Sequence, residues 1–414
     1  MVRKMIYRTI TETVLKSIKS KPVTLITGAR QVGKSTLCRE LVKTCGYNYV
    51  TLDNTRELST AVNDPAYFLS VHKPPLIIDE IQKCKELFVE IESIVNEVKF
   101  KGEDNRGMYI LTGSQAYNLM SNVTESMAGR VGIVNMSPLS LREIKGIKEE
   151  PFVINPEKNL KDALLNKMDI NELYETIVNG FYPEIYDLNI EDSEQFYADY
   201  VSTYIERDVS QLINLKDKMK FQRFMEISAS LTGEEYVYDT IANAVGVSVH
   251  TIDSWMSVLV AGNIVTLLEP FYMSSAVKRI KKRPKLIFND TGLAAYLAGL
   301  NNAKVLQKSS FNGRFVETYI INEIIKSYKN NGIHAKFYYY RDSNQKEIDL
   351  IVENKGIVNL IECKSGVSFS LSDVAAFNEI KDDKYIIENS GIICSTKEPY
   401  ALGNGYFAVP ICSI

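Results

Sequence analysis

Short apolar runs alternate along the first 145 residues with stretches whose apolar residues recur at helical spacing. Continuous apolar runs separated by helices are typical of a parallel sheet that is buried on both faces. The pattern therefore predicts an α/β fold with an N-terminal parallel sheet. The predicted strands are Val23–Thr27, Tyr49–Leu52, Leu76–Asp79, Tyr109–Thr112 and Gly132–Met136.

The rest of the chain divides into two further regions. Residues 149–162 are polar, contain two prolines and are typical of a linker. From Ile170 to about Leu300 the apolar spacing is helical, whereas from Phe311 onward one helix precedes several strands. These strands are expected around Phe337–Tyr340, Glu347–Val352 and Ile357–Cys363. The predicted domains cover residues 1–150, 165–300 and 305–414.

A phosphate-binding motif directly follows the first apolar run. The sequence GARQVGKS fits the phosphate-loop pattern G-x-x-x-x-G-K-[ST]. Its glycines permit a loop whose backbone N–H groups face phosphates, next to a helix N-terminus that favours negative charge. Lys34 is expected to bridge the β- and γ-phosphates, and Ser35 to bind Mg²⁺. The predicted nucleotide-contacting residues are Gly28, Ala29, Arg30, Gln31, Val32, Gly33, Lys34, Ser35 and Thr36.

Two later runs end in residues that suit phosphate chemistry. The run that ends at Asp79 is followed by Glu80. Asp79 is expected to complete the Mg²⁺ shell, and Glu80 to polarise the attacking water. The run that ends at Thr112 is followed by Ser114 and Gln115, either of which could lie near the γ-phosphate. An ordinary turn at the strand end explains Ser114 and Gln115 equally well.

These motifs resemble AAA-type P-loop ATPases of the small prokaryotic branch. The resemblance rests on GARQVGKST, LIIDEIQ, LTGSQ, the AGR segment at 128–130 and PLSLREI at 138–144. It implies ATP and Mg²⁺ as cofactors, Ser114 as the sensor residue, and Arg130 as an arginine finger or sensor. An arginine finger acts in cis or from a neighbouring subunit, whereas a surface salt bridge is the alternative for Arg130. The branch does not form rings uniformly, so homo-oligomerisation is left open.

The central region contains a predicted helix–turn–helix over residues 236–256. Gly246 supplies the turn, Ser248 caps the second helix, and residues 261–268 resemble the first strand of a winged helix. The second helix carries no Arg or Lys, which weakens a base-reading role. The following hairpin is strongly basic, with Lys278, Arg279, Lys281, Lys282, Arg283 and Lys285. This basic wing is expected either to contact a nucleic-acid backbone, or to be a solvated loop on a domain that serves packing.

The C-terminal region brings acidic residues into a defined register. If Lys355 and Gly356 form a two-residue hairpin loop, Asp349 lies opposite Glu362, with Lys364 two residues further on the same face. Two close carboxylates can bind a divalent metal, and a nearby lysine can orient water. On the predicted helix Gly313–Ser327, two glutamates lie on or near the apolar face, where a buried carboxylate needs a partner. These are Glu317 and its rival Glu323.

This arrangement resembles the D-x(n)-E-x-K core of restriction-endonuclease-like nucleases, the PD-(D/E)XK superfamily. The full chain resembles a prokaryotic family that pairs such an ATPase with a C-terminal domain of formerly unknown function. The resemblance implies Asp349, Glu362 and Lys364 as nuclease residues, with Glu317, Asp349 and Glu362 as metal ligands. An inactive nuclease-like module that packs or binds nucleic acid is the alternative. Ile348 replaces the superfamily's proline, at a position without a reacting group.

Composition narrows the class of protein. Lys and Arg number 48 against 51 Asp and Glu, so a globally basic nucleic-acid coat protein is excluded, although a local basic patch is not. No apolar run reaches about 18 residues, and the N-terminal sequence is too polar for a secretory signal. The six cysteines are scattered without metal-type spacing. We therefore expect reduced thiols in the cytoplasm and no membrane partner.

Three functions fit these observations. The first is an ATP-dependent protein that acts on nucleic acid, in particular DNA, and carries a metal-dependent nuclease domain. The second is a nucleotide-dependent switch with an inactive nuclease-like domain, and the third is an ATP-dependent remodeller that binds DNA without cutting it. A basic cleft leading to the Glu317–Asp349–Glu362–Lys364 cluster would favour the first. An occluded cluster, or a structural ion pair at Lys364, would favour the second, whereas metal-independent, salt-dependent DNA binding would favour the third.

Overall fold

Two β-sheets organise the chain in the computed structural model. The model describes residues 6–113, 127, 129–187, 193–204, 209, 218–272, 283–380 and 384–414. Within these residues, the N-terminal sheet has the order β2-β3-β4-β1-β5, and the C-terminal sheet has the order β13-β14-β12-β10-β9-β8-β6-β7, with β11 beside β10.

The strands fall into two groups along the chain. The N-terminal strands are β1 (Val23–Thr27), β2 (Asn48–Thr51), β3 (Leu76–Asp79), β4 (Tyr109–Thr112) and β5 (Val131–Asn135). The later strands are β6 (Val265–Pro270), β7 (Lys285–Phe288), β8 (Lys336–Arg341), β9 (Glu347–Asn354), β10 (Ile357–Cys363), β11 (Ile386–Ile387), β12 (Gly391–Cys394), β13 (Tyr400–Gly403) and β14 (Tyr406–Pro410).

Helices cover both sheets. The N-terminal half contains α1 (Ile10–Ser20), α2 (Lys34–Cys45), α3 (Thr55–Asn63), α4 (Pro65–Val71), α5 (Glu86–Phe100), α6 (Leu141–Lys145), α7 (Pro156–Leu165), α8 (Ile170–Asn179), α9 (Pro183–Asp187) and α10 (Glu194–Tyr204). The remainder contains α11 (Lys218–Ser230), α12 (Tyr238–Val245), α13 (Val249–Ala261), α14 (Thr291–Leu297), α15 (Ala303–Lys308) and α16 (Asn312–Asn330). Short 3₁₀ helices lie at Ile81–Lys83, Leu371–Glu379 and Ile411–Ser413.

The N-terminal sheet is parallel throughout, as its apolar runs predict. All five residues of β1 are buried. Because successive side chains of a strand point to opposite faces, Leu25 packs into the core with α3, α4 and α5, while Ile26 packs into the core with α1 and α2. Burial on both faces explains why these strands are apolar without alternation.

The central hairpin joins the C-terminal sheet, which the predicted domain boundaries do not indicate. Strand β6 pairs antiparallel with β7 on one side and parallel with β8 on the other, through Glu269 and Tyr338. The two regions therefore share one sheet. The sequence pattern does not reveal this pairing, because it joins segments that are far apart along the chain.

The helix–turn–helix lies where the sequence places it. Helices α12 and α13 meet at 104°, with Gly246 in the left-handed region at the end of α12. The Ser248 hydroxyl accepts a hydrogen bond from the Thr251 N–H, which caps α13. The assignment of this region to a winged helix stays a prediction.

The stretch 149–162 is packed rather than extended as a linker, so this prediction was wrong. Phe152 and Ile154 are buried, and Asn155 caps α7 with Pro156 at its first turn. The asparagine and proline that resemble linker residues are therefore helix-start signals. Beyond the helix, the Asn166 side chain donates a hydrogen bond to the carbonyl oxygen of Cys412.

Helix α16 connects the two halves of the molecule. It has 19 residues, so it is roughly 28 Å long, and most of its side chains are buried. Near its C-terminus, the carbonyl oxygen of Asn330 accepts a hydrogen bond from Thr13 on α1. Near its N-terminus, Glu317 faces Lys285 of β7. Helix α16 therefore contacts α1 of the N-terminal region and β7 of the C-terminal sheet.

A helix that spans a membrane needs about 20 consecutive, mostly apolar residues. Within the described ranges, no single helix is long and apolar enough to cross a membrane, and only the bent pair α12–α13 reaches that apolar content when taken together.

Candidate functional site

The loop between β1 and α2 has the backbone shape that a phosphate cradle needs. Gly28 and Gly33 have φ angles of 145° and 98°, and Gln31 between them has a φ of 60°. A Cβ atom at Gly28 would overlap the carbonyl oxygen of Met136, directly after β5. Only glycine fits where the loop approaches its neighbour so closely. The predicted nucleotide-contacting residues, 28–36, therefore form a loop that leads into the N-terminus of α2.

Lys34 lies in the first turn of α2, and its side chain turns back over the loop. Its ammonium donates hydrogen bonds to the carbonyl oxygens of Gly28 at 2.9 Å and Ala29 at 2.6 Å. The residue is only 7% exposed, so its charge is held at the loop. This placement suits the predicted contact with the β- and γ-phosphates.

Asp79 receives three hydroxyl groups from neighbouring elements. The Ser35 hydroxyl donates to Asp79 Oδ2 at 3.0 Å, and the Tyr49 hydroxyl donates to the same oxygen at 2.7 Å. Thr112 donates to Asp79 Oδ1. The structure thus brings together the two predicted Mg²⁺ residues. Sequence reasoning missed Tyr49 and Thr112, although both lie on the strands that flank β3.

Glu80 leaves β3 in an unusual backbone conformation. Its φ of 60° is in the left-handed region, which is sparsely populated by residues other than glycine. Its carboxylate accepts a hydrogen bond from the Gln82 side chain. Burial raises the pKa of Glu80 above its usual range, with the nearby Asp79 carboxylate adding to the effect. A carboxyl group with a raised pKa beside a phosphate loop can accept a proton from water.

Arg8 is a loop-supporting residue that the sequence did not reveal. Its guanidinium donates to the carbonyl oxygens of Val32 at 2.7 Å and Ser137 at 2.7 Å, and pairs with Glu143 at 3.1 Å. Arg8 is buried. It therefore ties the phosphate loop to the segment that follows β5. An arginine near the N-terminus of a chain carries no motif that marks this role.

Arg130 lies at the opposite end of the sheet from the phosphate loop. Its carbonyl oxygen accepts a hydrogen bond from Val23 N–H, at the start of β1. The five residues of β1 separate it from the loop by roughly 16 Å. Its guanidinium contacts Asn96 at 2.7 Å and Glu92 at 3.2 Å on α5. This position does not fit a role in cis. The ion pair with Glu92 is the salt bridge that the sequence analysis gave as the alternative, and the role in a neighbouring subunit stays a prediction.

The two residues predicted at the end of β4, Ser114 and Gln115, lie outside the described residues.

The donor groups of this site fit Mg²⁺ with a nucleotide triphosphate. Ser35 and Asp79 supply hydroxyl and carboxylate oxygens, the hard ligands that Mg²⁺ prefers. The loop supplies backbone amides and the Lys34 ammonium for phosphate oxygens. The arrangement can therefore bind a metal-bound triphosphate and offset the charge that develops during phosphoryl transfer.

A second polar cluster lies in the C-terminal sheet. Lys355 and Gly356 have positive φ angles of 54° and 85°, which is typical of a two-residue hairpin loop. The register pairs Ile361 with Leu350, so Glu362 follows directly opposite Asp349. The predicted juxtaposition is present.

Lys364 and Asp349 each have a defined partner in this cluster. The Lys364 ammonium lies 2.6 Å from Glu362 Oε1, and the backbone N–H of Cys363 donates to Asp349 Oδ2 at 2.8 Å. Burial and the Asp349 carboxylate raise the pKa of Glu362 to about 8, although Lys364 opposes this shift.

Lys285 inserts into the same cluster from β7. Its Nζ lies 2.6 Å from Glu317 Oε1, 2.6 Å from Glu347 Oε1 and 3.7 Å from Asp349 Oδ1. Lys285 was expected on an exposed basic wing, but it is 1% exposed. The prediction failed because charge alone does not show that β7 turns this side chain inward. Burial disfavours the ammonium, yet the three carboxylates outweigh it and raise the pKa of Lys285.

The other residues predicted for the carboxylate cluster and for the basic wing lie in different surroundings. Glu317, the favoured helix glutamate, faces the cluster, and burial raises its pKa to about 8 against the opposing effect of Lys285. Its rival Glu323 instead pairs with Lys326 at 2.8 Å. Arg283, the other described residue of the basic wing, is exposed. The remaining wing lysines and arginine, 278–282, lie outside the described residues.

The predicted metal does not fit the cluster in this arrangement. Within the part of the chain that the structure describes, no group of three or more His, Cys, Asp or Glu side chains is arranged to hold a metal ion. The Lys285 ammonium stands between Glu317 and Asp349, and Lys364 occupies an oxygen of Glu362. The ion pair between Lys364 and Glu362 is the condition that the sequence analysis gave as favouring the switch hypothesis.

The sheet and the phosphate loop with its Ser35–Asp79 pair define a P-loop ATPase domain of the AAA type. Residues 20–145 match the family described as an AAA domain. Residues 170–304 and 312–414 match two families described as domains of unknown function, DUF8612 and DUF4143. The chain thus carries an AAA-type ATPase domain followed by two domains without an assigned function.

Two curated relatives align with most of the chain. Uncharacterized proteins of Mycobacterium tuberculosis (strain ATCC 25618 / H37Rv) and Mycobacterium bovis (strain ATCC BAA-935 / AF2122/97) are each 25% identical over 341 residues. Each alignment covers 82% of this chain and 70% of the relative.

Two solved structures align with parts of the chain. The Walker-type ATPase of Pyrococcus abyssi is 16% identical, with a TM-score of 0.40 over 70% of this chain and 94% of that one. The RuvB Holliday junction branch migration motor of Thermotoga maritima is 14% identical, with a TM-score of 0.31 over 66% of this chain and 94% of that one.

Proposed function

We propose that this protein binds and hydrolyses Mg²⁺-ATP and works as a nucleotide-dependent switch. The observation that carries the proposal is the hydrogen bond of 3.0 Å between Ser35 and Asp79, directly beside the phosphate loop. This pair holds a hydroxyl and a carboxylate where one Mg²⁺ can take both as ligands. Bound Mg²⁺ would neutralise phosphate charge.

Each neighbouring residue has a role in this reaction. The loop amides and Lys34 bind the phosphates, while Tyr49 and Thr112 orient the Asp79 carboxylate through their hydroxyl groups. Glu80, held by Gln82, orients the attacking water and accepts its proton. Arg8 fixes the carbonyl of Val32 and so keeps the loop in its binding shape.

The switch proposal rests on a continuous path from the loop to the C-terminal domain. Met136 lies against Gly28 of the loop, and the chain then runs on to Leu139. The carbonyl of Leu139 accepts a hydrogen bond from Lys326 on α16 at 2.8 Å. The same helix carries Glu317 into the carboxylate cluster. A nucleotide-dependent shift beside the loop would therefore move α16 and the domain attached to it.

The experiment measures ATP binding and hydrolysis with Mg²⁺ in the full chain. Lys34→Ala should lose binding, whereas Glu80→Gln should bind ATP but hydrolyse it roughly 100-fold more slowly or worse. Glu97→Gln, an exposed change on α5, is the matched control and should match the wild type. Hydrogen exchange of α16 should differ between ATP-bound and ATP-free protein. Unchanged hydrolysis in both site variants would refute the ATPase proposal, and unchanged exchange in α16 the switch.

A second candidate function is action on nucleic acid, including metal-dependent cleavage of DNA. The observation that favours it is the assembly of Glu317, Asp349, Glu362 and Lys364 by the β9–β10 register and α16. Labelled linear, branched and single-stranded DNA would be incubated with Mg²⁺ or Mn²⁺, with and without ATP. Cleavage that is lost in Lys364→Ala would support the nuclease. Salt-sensitive binding without cleavage would support DNA remodelling instead.

A further inference from the structure

We propose that Lys285 is the resident cation of the carboxylate cluster, standing where a divalent metal would bind. While this lysine is in place, the cluster binds no divalent metal. The inference goes beyond the proposed ATPase switch, and it concerns a site that lies at the far end of α16 from the phosphate loop.

The geometry gives the ammonium the position of a shared cation. Its Nζ lies within 2.6 Å of both Glu317 and Glu347 and at 3.7 Å from Asp349. These carboxylates belong to α16 and β9, whereas the lysine comes from β7. The cluster is therefore completed by a residue outside the C-terminal region, and a metal at this point would collide with the ammonium.

The remaining charges leave little attraction for a second cation. Lys364 pairs with Glu362 at 2.6 Å, and an Arg341 Nη1 lies 3.8 Å from Glu347. Three basic side chains thus face the carboxylates of the cluster. A divalent ion would have to displace at least one of them, and a buried charge that loses its partner is costly.

Lys285 is held in place by backbone pairing on both edges of β7. On one side β7 pairs with β6, through Lys285 and Leu268 among others. On the other side Leu286 exchanges backbone hydrogen bonds with residues 233–234, at 2.8 and 2.9 Å. The ammonium also lies 5.5 Å from the centre of the Tyr339 ring. A strand held on both edges presents its side chains at a fixed position.

This substitution changes the chemistry available to the cluster. An ammonium supplies one positive charge and three hydrogen-bond donors, but it does not activate a water molecule in the way a divalent metal does. The cluster is then an ion-pair network that holds β7, α16 and β9 together. The C-terminal domain would transmit movements of α16 to the central region without cutting nucleic acid by a metal-dependent route.

The test uses Mn²⁺ alone with nucleotide-free, full-length protein. Binding is measured by electron paramagnetic resonance and by the rise in melting temperature. The wild type and Asp349→Asn should bind Mn²⁺ equally, because the cluster of the wild type holds no Mn²⁺. Lys285→Met, which removes the charge and keeps most of the length of the side chain, should gain a Mn²⁺ site at least roughly tenfold tighter than any in the wild type. That site should disappear in the Lys285→Met, Asp349→Asn double variant.

The control and the fallback separate this result from misfolding. Lys364→Met removes a lysine that contacts Glu362 alone among these carboxylates, so it should gain no site. If Lys285→Met does not fold even with Mn²⁺, a double variant that combines Lys285→Met with Glu317→Gln is compared with the single variant Glu317→Gln. Retained ATP binding shows that each of these proteins is folded. Wild-type Mn²⁺ binding that depends on Asp349, or a folded lysine-free variant without a gained site, would overturn the proposal. Neither outcome bears on the ATPase proposal, which Lys34→Ala and Glu80→Gln test separately.

Discussion

The carboxylate of Glu323 accepts a hydrogen bond of 2.8 Å from the backbone N–H of Leu141, so that α16 caps the first turn of α6. Lys326, one turn further along α16, pairs with Glu323 at 2.8 Å and donates to the carbonyl of Leu139 at 2.8 Å. Both side chains are buried. Two charged residues therefore form the joint between the ATPase domain and the long helix.

We expect strong energetic coupling between Glu323 and Lys326. Glu323→Gln or Lys326→Met alone should lower the free energy of unfolding by about 3 kcal/mol, because each leaves the other charge buried without its partner. The double variant should lose less than the two single losses combined, with a coupling of about 1 kcal/mol or more. Urea unfolding of all four proteins measures this. Lys304→Met, at an exposed lysine on α15, should stay within about 0.5 kcal/mol of the wild type, and additive losses in the double variant would contradict the coupling of Glu323 with Lys326.

A glycine comparison tests the shape of the phosphate loop. Gly28→Ala should abolish detectable ATP binding, because the added methyl would overlap the Met136 carbonyl. Gly46→Ala is the matched control: its φ of 73° is also left-handed, but an added Cβ meets no atom within 4 Å. It should destabilise the fold by about 1 kcal/mol and leave the affinity for ATP unchanged. Equal loss of affinity in both variants, measured by calorimetry, would argue against a loop-specific constraint.

Local patterns predicted several strands and the residues that surround the phosphate loop. The residues of β1, β3, β4 and β10 match the apolar runs because each of these buried strands is continuous in sequence. The register of Asp349 against Glu362 was predictable because a two-residue loop at Lys355 and Gly356 fixes it.

The place of Lys285 could not be predicted in the same way. It depends on the pairing of β6 with β8, between segments that are remote in sequence, and on the direction in which β7 turns its side chains. A run of lysines and arginines looks alike whether its last member is solvated or buried. The roles of Arg8 and Tyr49 are equally invisible, because each is a single residue whose partner is far away along the chain.

The location of Arg130 predicts how hydrolysis depends on assembly. At protein concentrations where the chain is a monomer, Arg130→Ala should hydrolyse ATP at the wild-type rate, because the residue lies about 16 Å from its own phosphate loop. If a neighbouring subunit uses this arginine, the wild-type rate per chain rises with concentration and the variant's does not. Lys19→Ala, an exposed change on α1, is the control. A loss of rate in the dilute monomer would contradict the geometry.

Glu149 predicts a pH dependence of stability. Burial, followed by the nearby Glu143 carboxylate, raises the pKa of Glu149 to about 7, and its side chain accepts a hydrogen bond of 2.8 Å from Asn330. Because the folded state binds this proton more tightly than the unfolded state, its stabilising effect is complete below about pH 4.5 and is lost as the pH rises to about 7. Relative to Glu149→Gln, which stays neutral, the wild type should therefore lose roughly 3 kcal/mol of unfolding free energy over this range.

Urea unfolding at pH 5 and pH 8 measures the effect. Glu150→Gln is the matched control, since this neighbouring carboxylate is more exposed and its pKa is lowered by Lys158 and Lys148. A lowered pKa has the opposite sign: it stabilises the folded state above the unfolded pKa and loses that effect only as the pH falls through the folded pKa. The difference between wild type and Glu149→Gln should therefore widen with rising pH while that for Glu150→Gln does not. A difference for Glu149 that is constant with pH would mean that its pKa is the same in the folded and unfolded states, and that burial does not raise it.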